Sequence, residues 1–135
     1  MTQFKEGDAA QFSKTISESD IYLYAGITGD LNPAHIDEKH AEKTFFKKRI
    51  AHGMLLGGFI SNVIAMKLPG PGTIYLSQSL QFTAPVYIGD TVTATVTVIE
   101  IGENYKKLKL ETKCINQDGK TVVEGTAIVS PPRGS

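Results

Sequence analysis

Arg49-Ile-Ala-His-Gly-Met-Leu-Leu-Gly-Gly-Phe-Ile-Ser-Asn-Val-Ile-Ala-Met-Lys67 decides the fold, because the seventeen residues between Arg49 and Lys67 carry no formal charge. They read as one helix. Ile50, Met54, Leu55, Leu56, Phe59, Ile60, Val63, Ile64 and Met66 fall on almost every side of it, and a helix that is apolar all round is enclosed rather than laid on a surface. A membrane span is the rival, but a span needs about 20 predominantly apolar residues. Here His52, Ser61 and Asn62 interrupt a shorter run. The helix is expected to be the axis of the fold.

Within the same stretch Gly53, Gly57, Ser61 and Ala65 recur at every fourth position, which stacks small side chains along one helical stripe. Such a stripe admits close approach, either by a packed neighbour or by a ligand. Gly53 follows His52 at the expected helix start, where first-turn amides have no intrahelical acceptor and the dipole favours negative charge. A backbone oxyanion hole can be made there.

Working outward, 135 residues suit a single domain, expected over 1–130 with a fraying tail over 131–135. Fourteen basic and fourteen acidic residues balance, so no basic field recommends nucleic acid or an anionic membrane. A small ligand fits better. The single Cys114 forbids an intrachain disulfide or a cysteine metal site and suits a reducing compartment. The N-terminal residues lack the basic and apolar regions of a secretory signal, and a cytoplasmic location is expected.

Gln11 to Ile16 alternates like a half-buried strand, and Ser17-Glu-Ser-Asp20 carries capping chemistry for a short helix over 18–27. Gly29 and Pro33 punctuate a structured loop, 37–43 suits another short helix, and Leu68-Pro-Gly-Pro-Gly-Thr73 ends the long one. Beyond it, 74–83, 91–101, 105–116 and 120–130 are rich in Val, Ile, Thr and Tyr and separated by turn residues. No room remains for crossover helices, so the pairing is antiparallel. The expected fold class is α+β: a curved antiparallel sheet of about five strands wrapped around one long central helix. An open sheet leaves an edge, and a second copy covers it economically, so a homodimer is expected.

Candidate chemistry concentrates in Gly29-Asp-Leu-Asn-Pro-Ala-His-Ile-Asp37. Asp30 and His35 stand five apart across an Asn-Pro turn, a carboxylate and an imidazole able to share one water as acid and base. The alternative is that Asp30 caps its own turn and His35 is an ordinary loop residue. A metal set of His35, Asp37 and His40 has enough ligands but lacks a helical i, i+4 pair and sits in a charged, solvated stretch. No metal is expected. His52 belongs near the helix start, and Ser61, mid-helix, lacks a nucleophile-elbow context and reads as a hydrogen-bonding wall. Asn32, His52 and Ser61 are the candidate substrate-binding residues.

Tyr24-Ala-Gly-Ile-Thr-Gly-Asp-Leu-Asn-Pro-Ala-His-Ile-Asp37, Arg49-Ile-Ala-His-Gly-Met54 and Phe82-Thr-Ala-Pro-Val-Tyr-Ile-Gly-Asp90 together resemble the MaoC-like hydratases, in particular the (R)-specific enoyl-CoA hydratases. The resemblance spans residues 12–128 and includes an unbroken Asp-x-Asn-Pro-x-His core. It implies the hot-dog fold, usually dimeric, with no cofactor. It implies Asp30 and His35 as the catalytic pair, the Gly53 N–H as oxyanion donor and Ser61 as a polar active-site residue. The implied reaction is syn addition of water to a trans-2-enoyl thioester, giving a (3R)-hydroxyacyl-CoA. A dehydratase acting on acyl-carrier-protein substrates runs the same chemistry backwards and is the near alternative. A hot-dog thioesterase would want a carboxylate on the central helix, and none lies between Ile50 and Met66. A non-enzymatic acyl-CoA-binding regulator would need no Asp/His pair.

Overall fold

The computed structural model of the chain describes residues 4–133, apart from the Tyr105 side chain. In chain order the elements are β1 (Ala9–Thr15), α1 (Glu18–Thr28), α2 (Pro33–Ile36), α3 (Glu38–Glu42), α4 (Gly53–Met66), β2 (Ile74–Gln78), β3 (Gln81–Phe82), β4 (Thr91–Ile101), β5 (Leu108–Ile115) and β6 (Thr121–Ser130). The sheet runs β1-β4-β5-β6-β2, with β3 also paired to β6. All pairings are antiparallel.

Alternation builds the sheet's inner face. Along β4, Val92, Ala94, Val96 and Val98 are buried while the intervening threonines stay partly accessible, the period-2 signature of a half-buried strand. Leu108, Leu110 and Cys114 of β5 and Ala127 and Val129 of β6 continue that face. Against it lie Leu56, Phe59, Ile60, Val63 and Ile64 of α4. Burial pushes the Cys114 thiol up to about 12.

Several boundaries differ from the sequence reading, each for a local reason. The long helix begins at Gly53, because Ile50 and Ala51 are extended: Ile50 bridges Tyr87, and the Ala51 amide donates to the Val86 carbonyl at 2.7 Å. Nor is the helix enclosed all round. Met54 and Met66 are exposed while the opposite side carries the core. The expected strand over 74–83 is broken at Ser79–Leu80 into β2 and β3, so six strands among the described residues replace about five. Both pieces run beside β6, one along its C-terminal half and the other at Val123 and Glu124. At the tail, Pro131 is buried and Pro132 lies against Gly72; Gly134 and Ser135 lie outside the described residues.

The capping expectation holds at α1: the Ser17 hydroxyl accepts from the Asp20 amide and the Asp20 carboxylate accepts from the Ser17 amide. An additional short helix, α2, begins with Pro33 at its first position, where a missing N–H costs nothing. No helix among the described residues is long and apolar enough to cross a membrane.

Candidate active site

Asp30 owes its position to the way α1 stops. Gly29 adopts φ +80° as a left-handed cap, a conformation glycine tolerates, and its amide returns to Ala25 O at 2.8 Å. The chain then doubles back on side-chain hydrogen bonds. Thr28 Oγ1 accepts from the Asp30 amide at 3.2 Å, Asp30 Oδ1 accepts from the Asn32 amide at 3.2 Å, and Asn32 Oδ1 accepts from the Ala34 amide at 3.0 Å. Asp30 therefore does cap its own turn. That bond uses one lone pair of one oxygen and leaves acceptor capacity on the carboxylate.

The same turn carries His35 to the segment before α4. The Ile50 amide donates to Ala34 O at 3.2 Å, and His35 Nδ1 lies 2.7 Å from Ile50 O. A carbonyl oxygen can only accept, so Nδ1 carries the hydrogen and the neutral ring keeps its lone pair on Nε2. By the same logic His52, whose Nε2 lies 3.0 Å from Asp30 O, holds its hydrogen on Nε2. The two imidazoles stack with centroids 3.9 Å apart and planes at 28°. The Tyr24 ring lies 4.7 Å from the His52 ring, tilted by 49°. One ligand-type atom from each of Asp30, His35 and His52 lies within 4.8 Å of the others.

These groups border a cavity of about 510 Å³ whose walls include Phe46, Met54, Leu56, Phe82, Val86 and Val123. Gly53 lines it too. As the first residue of α4, its amide has no hydrogen-bond acceptor among the described residues. The Phe82 ring lies directly on its Cα, since a Cβ at Gly53 would meet two ring carbons at 2.7 Å. A Cβ at Gly57 would meet the Leu80 side chain at 3.2 Å. The small-residue stripe thus receives the β2–β3 crossing as a packed neighbour, and only its N-terminal end meets the cavity.

Of the expected site residues, Asp30, His35, His52 and Gly53 come together. Asn32 supports the turn from outside the cavity wall, and Ser61, two turns along α4, does not line the cavity. The His35, Asp37 and His40 set is not gathered, because Asp37 Oδ1 is taken up capping α3 through the His40 amide. The cluster that does form, Asp30 with His35 and His52, has one nitrogen of each ring committed to a carbonyl and the other uncommitted. Sequence reasoning missed Tyr24, Phe46 and Phe82 as walls; aromatic residues beside the Asp/His turn and the helix start were the available signal.

An antiparallel sheet packed on one central helix, with Asp30, His35 and the first residue of that helix lining one cavity, is the arrangement of a hot-dog protein. The chain belongs to the MaoC-like domain family, whose model matches residues 3–121. It is 58% identical over 128 residues to an (R)-specific enoyl-CoA hydratase of Rhodospirillum rubrum, covering 95% of this chain and 88% of that one. It is 38% identical to a mitochondrial 3-hydroxyacyl-[acyl-carrier-protein] dehydratase of Arabidopsis thaliana, covering 95% and 79%. The solved (R)-hydratase from A. caviae involved in PHA biosynthesis superposes with a TM-score of 0.94 at 38% identity, covering 98% of this chain and 100% of that one. The chain is an enzyme of the hydratase–dehydratase class of lyases.

Proposed function

We propose that this chain is an (R)-specific enoyl-CoA hydratase, adding water reversibly and syn to a trans-2-enoyl-CoA to give a (3R)-hydroxyacyl-CoA. The observation that carries the reading is the pairing of an Asp30 carboxylate oxygen with a ring nitrogen of His35 within 4.8 Å, beside an apolar cavity. One water donating two hydrogen bonds of about 2.8 Å bridges acceptors roughly 4.5 Å apart. Asp30 and the His35 Nε2 lone pair can hold such a water between them.

The Asp30/His35 pair takes one proton from that water as its oxygen bonds to C3. The alkene electrons move onto the thioester carbonyl, forming an enolate, and the pair returns the proton to C2. Delivery of hydroxyl and proton from one side makes the addition syn. The Gly53 amide faces the enolate oxygen, a preorganised donor of the kind worth about 10²-fold to 10³-fold in rate. The apolar wall of Leu56, Val86 and Val123 receives the acyl chain, and Asn32 supports it indirectly by holding the Asp30–His35 turn. The protein acts as a cytoplasmic homodimer supplying (3R)-hydroxyacyl thioesters to polyhydroxyalkanoate or fatty-acid metabolism, the exposed apolar edge strand β2 (Ile74, Tyr75, Leu76) being the face for a second copy.

The test is loss of the conjugated enoyl-thioester absorbance on mixing the protein with crotonyl-CoA, with Asp30→Asn as control and the product's chirality determined. Rapid loss to the (3R)-alcohol, abolished in Asp30→Asn, supports the reading. Release of free thiol would make it a thioesterase. The identity to a carrier-protein dehydratase favours a second reading, in which the same site works on acyl-carrier-protein thioesters; turnover of crotonyl-carrier protein but not crotonyl-CoA would select it.

A further inference from the structure

His52 is built into the site without being aimed at a substrate. The residue is 2% exposed, its Nε2–H is spent on the Asp30 carbonyl at 3.0 Å, and its ring lies against His35 with centroids 3.9 Å apart. Its Nδ1 is the one buried side-chain nitrogen or oxygen among the described residues with no hydrogen-bond partner. Buried polar atoms are nearly always paired, and an exception calls for a reason. The titratable groups facing this ring are Asp30, His35 and Tyr24.

The reason follows from what other side chains could do there. Phenylalanine would stack on His35 and leave the Asp30 carbonyl without its donor. Glutamine could donate to the carbonyl but offers no ring for His35 to rest on. Histidine does both at once, and a bare Nδ1 comes with that choice. Because Nε2 donates to the Asp30 carbonyl and no described group accepts a hydrogen from Nδ1, the neutral ring is the Nε2–H tautomer.

We propose that His52 is a positioning residue: one side chain fixes the backbone of Asp30 and the plane of His35 together, holding carboxylate and imidazole in register for the shared water. This rests on the hydratase reading above. Misplacing reacting groups by about 1 Å costs up to 10²-fold, so His52 acts on turnover rather than on substrate binding.

Two variants separate its two contacts. His52→Phe keeps the stack and loses the donor; His52→Gln keeps a donor and loses the stack. With crotonyl-CoA, His52→Phe is expected to lose about 10-fold to 10²-fold in kcat with KM within about twofold, and His52→Gln to retain part of what His52→Phe loses. Combined with His35→Asn, His52→Phe should remove little further activity, because residues acting as a unit are not additive. A wild-type kcat in His52→Phe, a loss confined to KM, or full additivity with His35→Asn would overturn the proposal. A readout independent of activity distinguishes its failure from failure of the hydratase reading. Long-range ¹H–¹⁵N spectra of the imidazoles should show His52 as Nε2–H and His35 as Nδ1–H, with the His35 resonances shifted in His52→Phe. A Nδ1–H or doubly protonated His52 at neutral pH, or unmoved His35 signals, would also overturn it, whatever substrate is turned over.

Discussion

His35 Nδ1 stands 2.7 Å from the carbonyl oxygen of Ile50, and that one contact selects which ring nitrogen can serve as a base. Asparagine at position 35 can place its amide nitrogen where Nδ1 stands, keep the bond to Ile50 and present no base beyond it. His35→Asn should therefore melt near the wild type yet lose about 10²-fold to 10⁴-fold in turnover, the usual worth of general acid–base catalysis. Steady-state kinetics beside a thermal melt make the check. Turnover within a few-fold of wild type would remove His35 from proton transfer.

Gly53 permits a test of a backbone donor that side-chain substitution rarely offers. It is the first residue of α4, and His52 before it has φ −64° and ψ 130°, the extended geometry a following proline requires. Proline is welcome at a helix's first position and has no N–H. Because a Cβ at 53 would strike Phe82 at 2.7 Å, the substitution belongs in a Phe82→Ala background. There, Gly53→Pro is expected to lower kcat about 10²-fold to 10³-fold relative to Phe82→Ala alone, whereas Gly53→Ala, which keeps the amide, should not. Equal rates for the two would deny the amide its role.

Two carboxylates near the start of α1 are expected to contribute to stability in acid. Hydrogen bonds from Arg49 and Tyr22 hold the Glu18 carboxyl below its ordinary 4.5. Burial pushes Asp20 up, but the Ser17 amide and Lys14 outweigh it and leave the group below its ordinary 3.8. A carboxyl depressed in the folded state contributes stability above its unfolded value and loses it as pH falls through the folded one. The melting temperature should accordingly decline below about pH 4.5, and Glu18→Gln with Asp20→Asn should flatten that acid limb. An acid limb of unchanged steepness in the double variant would place the acid-sensitive groups elsewhere.

Donor atoms of Asp30, His35 and His52 lie close enough for an ion, yet the stacked rings already spend one nitrogen each on carbonyls. Turnover is expected to survive prolonged dialysis against a strong chelator. Activity that vanished on dialysis and returned with zinc would make the cluster a metal site.

What the sequence made legible, and what it hid, follows the range of the forces involved. The Ser17–Asp20 capping box and the Val/Thr alternation of β4 are local patterns, and local patterns can be read. Ile50 and Ala51 are apolar and continued the helical run on paper; their backbone is claimed instead by Val86 and Tyr87, partners that no local pattern announces. Asp30 and His35 stood out as a pair only through resemblance, since five-residue spacing alone fits a capped turn equally well. The Ile50 carbonyl that sets the His35 tautomer is a tertiary contact with no sequence signature.

The break between β2 and β3 has the same origin, and it yields a prediction of opposite signs at two glycines. Ser79-Leu-Gln-Phe82 alternates like a strand, but Gly125 on β6 lies where Ser79 crosses, and a Cβ there would meet Ser79 O at 1.8 Å and Leu80 Cα at 3.2 Å. These are backbone atoms, so no rotamer change relieves the collision. In Gly125→Ala the crossing must lift off β6, weakening the Ser79 amide bond to Thr126 O, now 2.9 Å. Leu80 and Phe82, which pack on Gly57 and Gly53, must move with it. Overpacking of this kind costs about 1–3 kcal/mol, and turnover should fall because Phe82 is a wall of the cavity. Gly58, exposed on α4 with open space around its Cα, supplies the contrast: alanine there should stabilise the helix by roughly 0.5–1 kcal/mol and leave turnover unchanged. Chemical denaturation of both variants decides it, and a Gly125→Ala protein as stable and active as the wild type would mean that the crossing is free to lie elsewhere.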